Sequence, residues 1–230
     1  MQTYHNTECI IVDNFSTDQT VSIGKRMNCA VYNHGTERCE QRNYGVSQSQ
    51  GTYVICIDAD MELSPEVIES CVQKMQANPN TAAIFIPEQS FGQGFWARCK
   101  QYERSLYINI AWMNACRFFR KSSFEEVGGY DITCLGAEEY DIHNRIIDRF
   151  GRHAVATIEP LIFHNEGKLT LRSLWKKKQY YGKGLKTYKA KPYNFKAFQQ
   201  QASIIRRIAL LGSDPVKALH HPHLFAGAVI

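Results

Sequence analysis

An α/β fold is predicted for this chain of 230 residues, and three observations carry the prediction. Short apolar runs rich in Val, Ile, Ala and Tyr alternate with stretches of helical periodicity. Gly, Pro and Asn punctuate the joins between them. Aspartates stand at the ends of two of the apolar runs. Strands alternating with helices argue for a parallel sheet with right-handed crossovers. In open sheets of this kind, ligands bind beyond the carboxyl ends of the strands.

The elements follow in order. Residues 8–13 (ECIIVD) read as a buried strand, and Ser16 with Gln19 three residues on fits a capping box for a helix over 16–27. Residues 29–33 (CAVYN) are a second strand, 38–50 a helix ended by Gly51, and 52–57 (TYVICI) a third strand. Ser64-Pro65-Glu66 offers an N-cap, a proline at the first helical position and an acid at the positive end of the dipole. Val67, Ile68, Cys71, Val72 and Met75 then recur at helical spacing until Asn78-Pro79-Asn80, and 82–86 (AAIFI) is a fourth strand. After residue 88 the pattern changes. A Gly- and aromatic-rich stretch leads into a helix, then "CRFFRKSSFEEVGGYD" gives a strand, a capped turn of helix and a Gly-Gly stop. A helix with an acidic head runs over about 138–150, and 154–163 is a strand interrupted by Pro160 that leads into His164. Beyond Gly167 the chain reads as helical, basic and aromatic.

Composition narrows the class. A hydrophobic content of 44% and a charged content of 21% fit a folded globular protein rather than a disordered one. The eight cysteines form no CxxC pair and read as small core residues in a reducing compartment. No stretch reads as a signal peptide and no apolar run is long enough to cross a bilayer, which predicts a cytoplasmic protein. The net charge of +5 hides an asymmetry: residues 1–167 hold 14 Lys+Arg against 21 Asp+Glu, and residues 168–230 hold 13 against 1. Such separation suggests an anionic partner for the C-terminal part, or a solvated basic face.

The chemistry concentrates at "YVICIDADMELSP", where a buried strand ends in Asp58-Ala59-Asp60. Charge there must be paired or bound to a metal. Hard carboxylate oxygens suit Mg²⁺ or Mn²⁺, which commonly also hold substrate phosphates. A phosphatase strand end of the DxDxT type is the rival, and the threonine it needs is replaced by Glu62.

Four blocks together resemble the family-2 glycosyltransferases: "ECIIVDNFSTDQT", "QRNYGVSQSQGTYVICIDADMELSPEVI", "FFRKSSFEEVGGYD" and "GAEEYDIHNR". They stand in the family's order and spacing over roughly residues 2–167. The resemblance implies a GT-A fold, a Rossmann-like mixed sheet flanked by helices. A nucleotide half would span about 1–88 and an acceptor half about 89–167, with 168–230 as a basic helical tail. It implies metal-dependent, inverting transfer of a sugar from a nucleotide-diphosphate sugar to a polysaccharide or lipid-linked acceptor.

Residue by residue, the resemblance sets Asp13 and Asn14 against the nucleobase, Asn14 standing where the family often has a second Asp. Arg42 falls near the base or diphosphate. Asp58 would face ribose or metal, and Asp60 would coordinate Mg²⁺ or Mn²⁺, with His164 as a further ligand of metal or diphosphate. Glu139 occupies the position of the catalytic base, where the family has Asp, and Glu138 is the runner-up. One extra methylene shifts a base by about 1 Å, which can matter on the order of 10²-fold. Trp96, Arg117 and Asp141 are expected on the acceptor side, Arg117 as a phosphate contact or an ordinary salt bridge, whereas Phe91 and Phe95 are expected in the core.

The segment "LWKKKQYYGKGLKTYKAKPYNFKAF" interleaves lysine with aromatics. It fits an anionic membrane surface, a nucleic-acid surface or a plain solvated helix pair. With the transferase reading, peripheral contact with the cytoplasmic membrane face is the coherent choice, and no specific nucleic acid is expected. Relatives usually open with a strand of the type S-V-I-I-P-T-Y-N and a helix, whereas this chain starts at Gln2-Thr3-Tyr4-His5-Asn6. A sheet without that strand exposes an unpaired edge, so a non-catalytic nucleotide-binding remnant is the alternative expectation.

Overall fold

The computed structural model describes residues 1–108 and 110–229. In chain order the elements begin β1 (Ile10–Asp13), α1 (Thr20–Arg26), β2 (Ala30–Asn33), α2 (Arg38–Gln48), β3 (Tyr53–Ile55), β4 (Met61–Leu63), α3 (Val67–Ala77) and β5 (Ala83–Phe85). They continue with β6 (Glu88–Gln93), α4 (Phe95–Ser105), β7 (Cys116–Arg120), α5 (Lys121–Glu126), α6 (Glu138–Phe150), β8 (Val155–Thr157) and β9 (Ile162–Lys168). Five helices end the chain: α7 (Leu171–Ala190), α8 (Pro192–Ala202), α9 (Ile204–Leu211), α10 (Pro215–His220) and α11 (Pro222–Val229).

β1 and β2 pair in parallel, from Ile10↔Ala30 to Asp13↔Asn33. Alternation along β1 gives each face a helix: Ile10 and Val12 lie against Gly45 of α2, and Ile11 lies against Gly24 of α1. The larger sheet has the order β3-β7-β5-β8. The sheet is mixed, as the resemblance implies: β7 runs antiparallel to both β3 and β5, while β5 and β8 pair in parallel. Among the described residues β1 pairs only with β2 and β3 only with β7, so each leaves one edge without a partner. The third sheet, β4-β9-β6, joins Met61 to His164 and Ser90 to His164 in register.

The core lies on both faces of the larger sheet, and β7 shows why. Its neighbours Phe118 and Phe119 point to opposite sides. Phe118 packs with Val67, Cys71, Met75 and Ile84 under α3. Phe119 packs with Phe124, Tyr130, Ile142 and Ile146 under α5 and α6. Fully burying each such aromatic or branched aliphatic side chain contributes about 1.5–3 kcal/mol.

Several expectations need correction. Ser16 does not cap a helix; its N–H and hydroxyl both donate to Asp13, and α1 starts only at Thr20. Ser64 precedes α3 without capping it and instead accepts from the Leu161 N–H. The strand over 154–163 is two strands in different sheets, separated around Pro160, whose ring removes a ladder donor. The sequence pattern does not mark β4 or β6, since three residues in one and the mixed run EQSFGQ in the other carry no period-two signal. Six cysteines are buried, but Cys9 is exposed and Cys29 half-buried, and the Cys29 thiol lies 2.9 Å from Cys9 Sγ where β1 and β2 begin.

Candidate active site

The ends of β3 and β5 and the first turn of α6 bring acidic side chains together, and the end of β1 carries a further aspartate. Asp13 closes β1, and its two oxygens accept from Ser16 at 2.7 and 2.6 Å, which fixes the loop after the strand. Asn14 Nδ2 donates to the Thr36 carbonyl at 3.4 Å and ties that loop to the one after β2.

Two arginines compensate Asp58. Arg42 from α2 pairs with it directly, and Arg117 from β7 approaches to 3.9 Å. Burial pushes the Asp58 carboxyl up, but Arg42 and Arg117 outweigh it and hold it below the usual carboxylate range. The same arginines hold Glu139. Arg117 Nη1 and Nη2 lie 2.8 and 3.2 Å from its oxygens, and Arg42 Nη2 lies at 3.2 Å. Arg117 also donates from Nε to Glu88 at 2.5 Å, and Arg104 of α4 donates to Glu88 at 2.6 Å. The result is an alternating chain of charges, Asp58–Arg42–Glu139–Arg117–Glu88–Arg104. Each buried guanidinium needs more than one carboxylate, because a buried charge left unpaired is costly.

Glu88 and Arg104 are functional candidates that sequence reasoning missed. Glu88 stands just past the strand of residues 82–86, the same signature that singled out Asp58. Burial raises its carboxyl, yet Arg117, His164 and Arg104 hold it far below the usual range.

β4 and β9 set Asp60 beside His164. His164 Nε2 is 3.4 Å from Asp60 Oδ2, and Nδ1 is 3.8 Å from Glu88 Oε2. Burial pulls this imidazole down, but Glu88, Glu166 and Asp60 outweigh it and raise it. The Asp60 side chain is 52% exposed and open to solvent. A carboxylate beside an imidazole fits Mn²⁺, while Mg²⁺ favours oxygen alone. Asp58, expected as a second ligand, is instead engaged by Arg42 and Arg117.

Elsewhere, among the described residues, Asp131, Cys134 and Asp141 could reach a common ion. Lys191 Nζ already lies 2.5 and 2.8 Å from the two carboxylates, so the protein's own cation occupies that place.

Three expected roles are not supported by position. Glu138, the runner-up base, is 1% exposed and ion-paired with Arg38 and with Arg42. It faces the core side of α6's first turn and cannot meet an acceptor. Asp141 is fully buried and bonds Arg145, Lys191 and Asn194, so it anchors helices rather than an acceptor. Phe91 and Phe95 are exposed rather than in the core. Trp96, by contrast, lines a cavity of about 740 Å³ together with Glu139, Arg117, Glu88 and Arg104. Its opposite wall comes from α7, α9 and α11.

The model of the family described as Glycosyl transferase family 2 matches residues 1–134. The chain is 26% identical over 174 residues to an uncharacterized glycosyltransferase of Haemophilus influenzae, covering 70% of this chain and 59% of that protein. It is 25% identical over 175 residues to an uncharacterized protein of Sinorhizobium fredii, covering 70% of this chain and 19% of that protein. The chain thus spans about three-fifths of the one relative and a fifth of the other. Among solved structures, S. aureus TarS is similar with a TM-score of 0.55 at 14% identity, over 99% of this chain and 50% of that one. Mannosyl-3-phosphoglycerate synthase from Rubrobacter xylanophilus is similar at a TM-score of 0.54 and 15% identity, over 80% and 63%. Glucosyl-3-phosphoglycerate synthase from Mycobacterium tuberculosis, solved with Mn²⁺, UDP and glucosyl-3-phosphoglycerate, is similar at 0.50 and 17%, over 78% and 68%.

Proposed function

The chain belongs to glycosyl transferase family 2, and from that premise we propose that it moves a sugar from a nucleotide-diphosphate sugar to an acceptor, with inversion at the anomeric carbon. One observation carries the reading: Glu139 sits on the floor of an open cavity, held by Arg117 and Arg42, with Asp60 and His164 on the neighbouring sheet. The acceptor oxygen attacks the anomeric carbon while its proton passes to Glu139. The bond from that carbon to the diphosphate oxygen breaks, and the electron pair leaves with the nucleoside diphosphate. Arg42 and Arg117 orient Glu139, so the carboxylate is placed before the acceptor arrives. Asp13 and Asn14 shape the loop that would meet the nucleobase. Asp60 and His164 would hold Mn²⁺ or Mg²⁺, which when bound supplies charge stabilisation for the departing diphosphate.

In this reading the acceptor is a glycan or a lipid-linked molecule, and the protein works in the cytoplasm, where its thiols stay reduced, in peripheral contact with an anionic membrane face. No helix among the described residues is long and apolar enough to cross a membrane. A second reading, a non-catalytic remnant, is favoured by the unpaired edges of β1 and β3 beside the nucleotide side.

Calorimetric titration of UDP and GDP, with Mn²⁺ and then with EDTA, tests the two. Binding that requires Mn²⁺ and disappears in Asp60→Ala supports the transferase. A folded protein that binds a nucleotide but transfers no sugar supports the remnant, and one that binds neither nucleotide counts against both readings.

A further inference from the structure

Two of the eight cysteines lie outside the core, and they lie together. Cys9 and Cys29 stand immediately before the paired residues Ile10 and Ala30, where the parallel strands β1 and β2 begin. The Ala30 N–H donates to the Cys9 carbonyl at 2.9 Å and fixes that end of the ladder. Neighbouring strands lie about 4.7–4.9 Å apart, inside the span of roughly 4.4–6.8 Å between Cα atoms that a disulfide takes. Both thiols also share a face. Side chains alternate along a strand, so Cys9 falls on the side of Ile11 and Cys29 on the side of Val31. Ile11 and Val31 both face Gly24 of α1. The Cys29 N–H donates to the Gly24 carbonyl at 3.0 Å, which holds the second cysteine against the end of that helix. The two sulfurs meet at 2.9 Å.

Their place in the fold gives a link there a consequence. Among the described residues β1 pairs only with β2, and an isolated two-stranded unit is marginal in water. The far ends of the same strands carry Asp13 and lead to the bond from Asn14 to Thr36. A covalent link at the near ends closes a loop that contains α1, the two cysteines being 20 positions apart. Closing such a loop removes conformational freedom from the unfolded chain, so the link favours the folded unit. The other six thiols are buried and shielded from a reagent in solution.

We infer that Cys9 and Cys29 form a covalent modification site, a dithiol that a small-molecule disulfide such as glutathione disulfide converts into a cystine joining β1 to β2. Exposed Cys9 is the point of entry. Its thiol gives up a proton and its sulfur attacks the small disulfide. The S–S bond of that molecule breaks, and one glutathione leaves and takes up the proton. The Cys29 sulfur, losing its own proton, then attacks the Cys9 sulfur of the mixed disulfide, and the second glutathione leaves as a thiol. One glutathione disulfide is reduced to two thiols, the two protein sulfurs are oxidised, and the chain loses two hydrogen atoms. Partial burial and then the Cys29 thiol push the Cys9 thiol up to about 11, which slows the first step. In a reduced glutathione pool the pair stays as two thiols, and in an oxidised pool it links. This site goes beyond the transferase reading and does not depend on it.

The test incubates the whole chain without air in graded mixtures of glutathione and glutathione disulfide until its composition stops changing. Acid quenching, alkylation of the remaining thiols in urea and peptide mass spectrometry then read every cysteine. The expected product is one linked pair of peptides carrying Cys9 and Cys29, with the other six cysteines alkylated. Linking is expected at a glutathione disulfide level at least about tenfold lower than the same two cysteines need in the urea-denatured chain. The urea midpoint of the linked chain is expected to rise and to return on reduction with dithiothreitol. Cys9→Ser and Cys29→Ser, both outside the core, are each expected to abolish the link and the rise. A glutathione adduct that stays on Cys9 while Cys29 remains free overturns the inference. So does a bridge between two chains, a link formed no more readily than in urea, or an unchanged midpoint. The unaltered chain supplies these readings, so they stand even where a variant fails to fold.

Discussion

At the scale of single residues, adjacent carboxylates have opposite fates. Glu138 and Glu139 both open α6, where negative charge favours the helix dipole. One turns inward to Arg38 and Arg42, and the other turns to the cavity. Their variants should therefore diverge. Glu139→Gln is expected to lower kcat by about 10²–10⁴-fold with nucleotide affinity kept, as transfer rates and UDP titration would read. Glu138→Gln removes the buried partner of two arginines and is expected to cost roughly 3 kcal/mol of stability, read by urea unfolding. His143 gives a pH dependence. It is buried with Nδ1 3.2 Å from Cys116 Sγ, and burial, helped by Arg152, pulls its imidazole down to about 4. Unfolded, it titrates near 6.5. Between those values the unfolded chain binds the extra proton, so stability falls as pH drops from about 6.5 to about 4. The expected loss is on the order of 2–3 kcal/mol, and His143→Leu should flatten that window in a series of melting curves.

At the scale of elements, close approach explains what propensity does not. α7 is a 20-residue basic helix, capped at its start by Thr170 and Ser173. It docks through Gly184, where an added methyl would meet the Leu135 backbone N and O at 2.3 Å. Those neighbours are backbone and cannot swing aside. Gly184→Ala is expected to destabilise docking by about 1–3 kcal/mol, seen as earlier proteolysis of the C-terminal helices than of the sheets. The short strands β4 and β6 belong to the same lesson. Each exists because β9 lies between them and offers both its edges. That pairing, not any local signal, sets Asp60 against His164.

At the scale of the molecule, one ammonium ties the C-terminal helices to the α/β body. Lys191, where α7 gives way to α8, holds Asp131 and the fully buried Asp141, and Asn194 Nδ2 adds a bond to Asp141 at 2.7 Å. The Lys191 and Thr133 bonds outweigh burial and hold Asp131 at about 2. Lys191→Met would remove the cation shared by Asp131 and Asp141 and leave Arg145 as the counter-charge of Asp141 alone. The expected cost is about 3–5 kcal/mol, read as a lower urea midpoint.

The sequence by itself determined the alternation of strands and helices, the carboxylates at strand ends, and the family through four ordered blocks. These are local or short-range properties, set by periodicity, caps and spacing, and so they could be read along the chain. It ranked Glu139 above Glu138 through the family's blocks alone, and it did not show that Glu138 is buried against two arginines, reveal Glu88 and Arg104 as members of the charge chain, or show that Asp141 is an anchor. Nor did it show that the basic segment closes over the cavity instead of trailing from it. Only the tertiary structure decided these, because each depends on which distant cation or apolar wall reaches a given side chain. Arg42, Arg104 and Arg117 come from α2, α4 and β7, and nothing in their spacing along the chain records that they meet between the same few carboxylates.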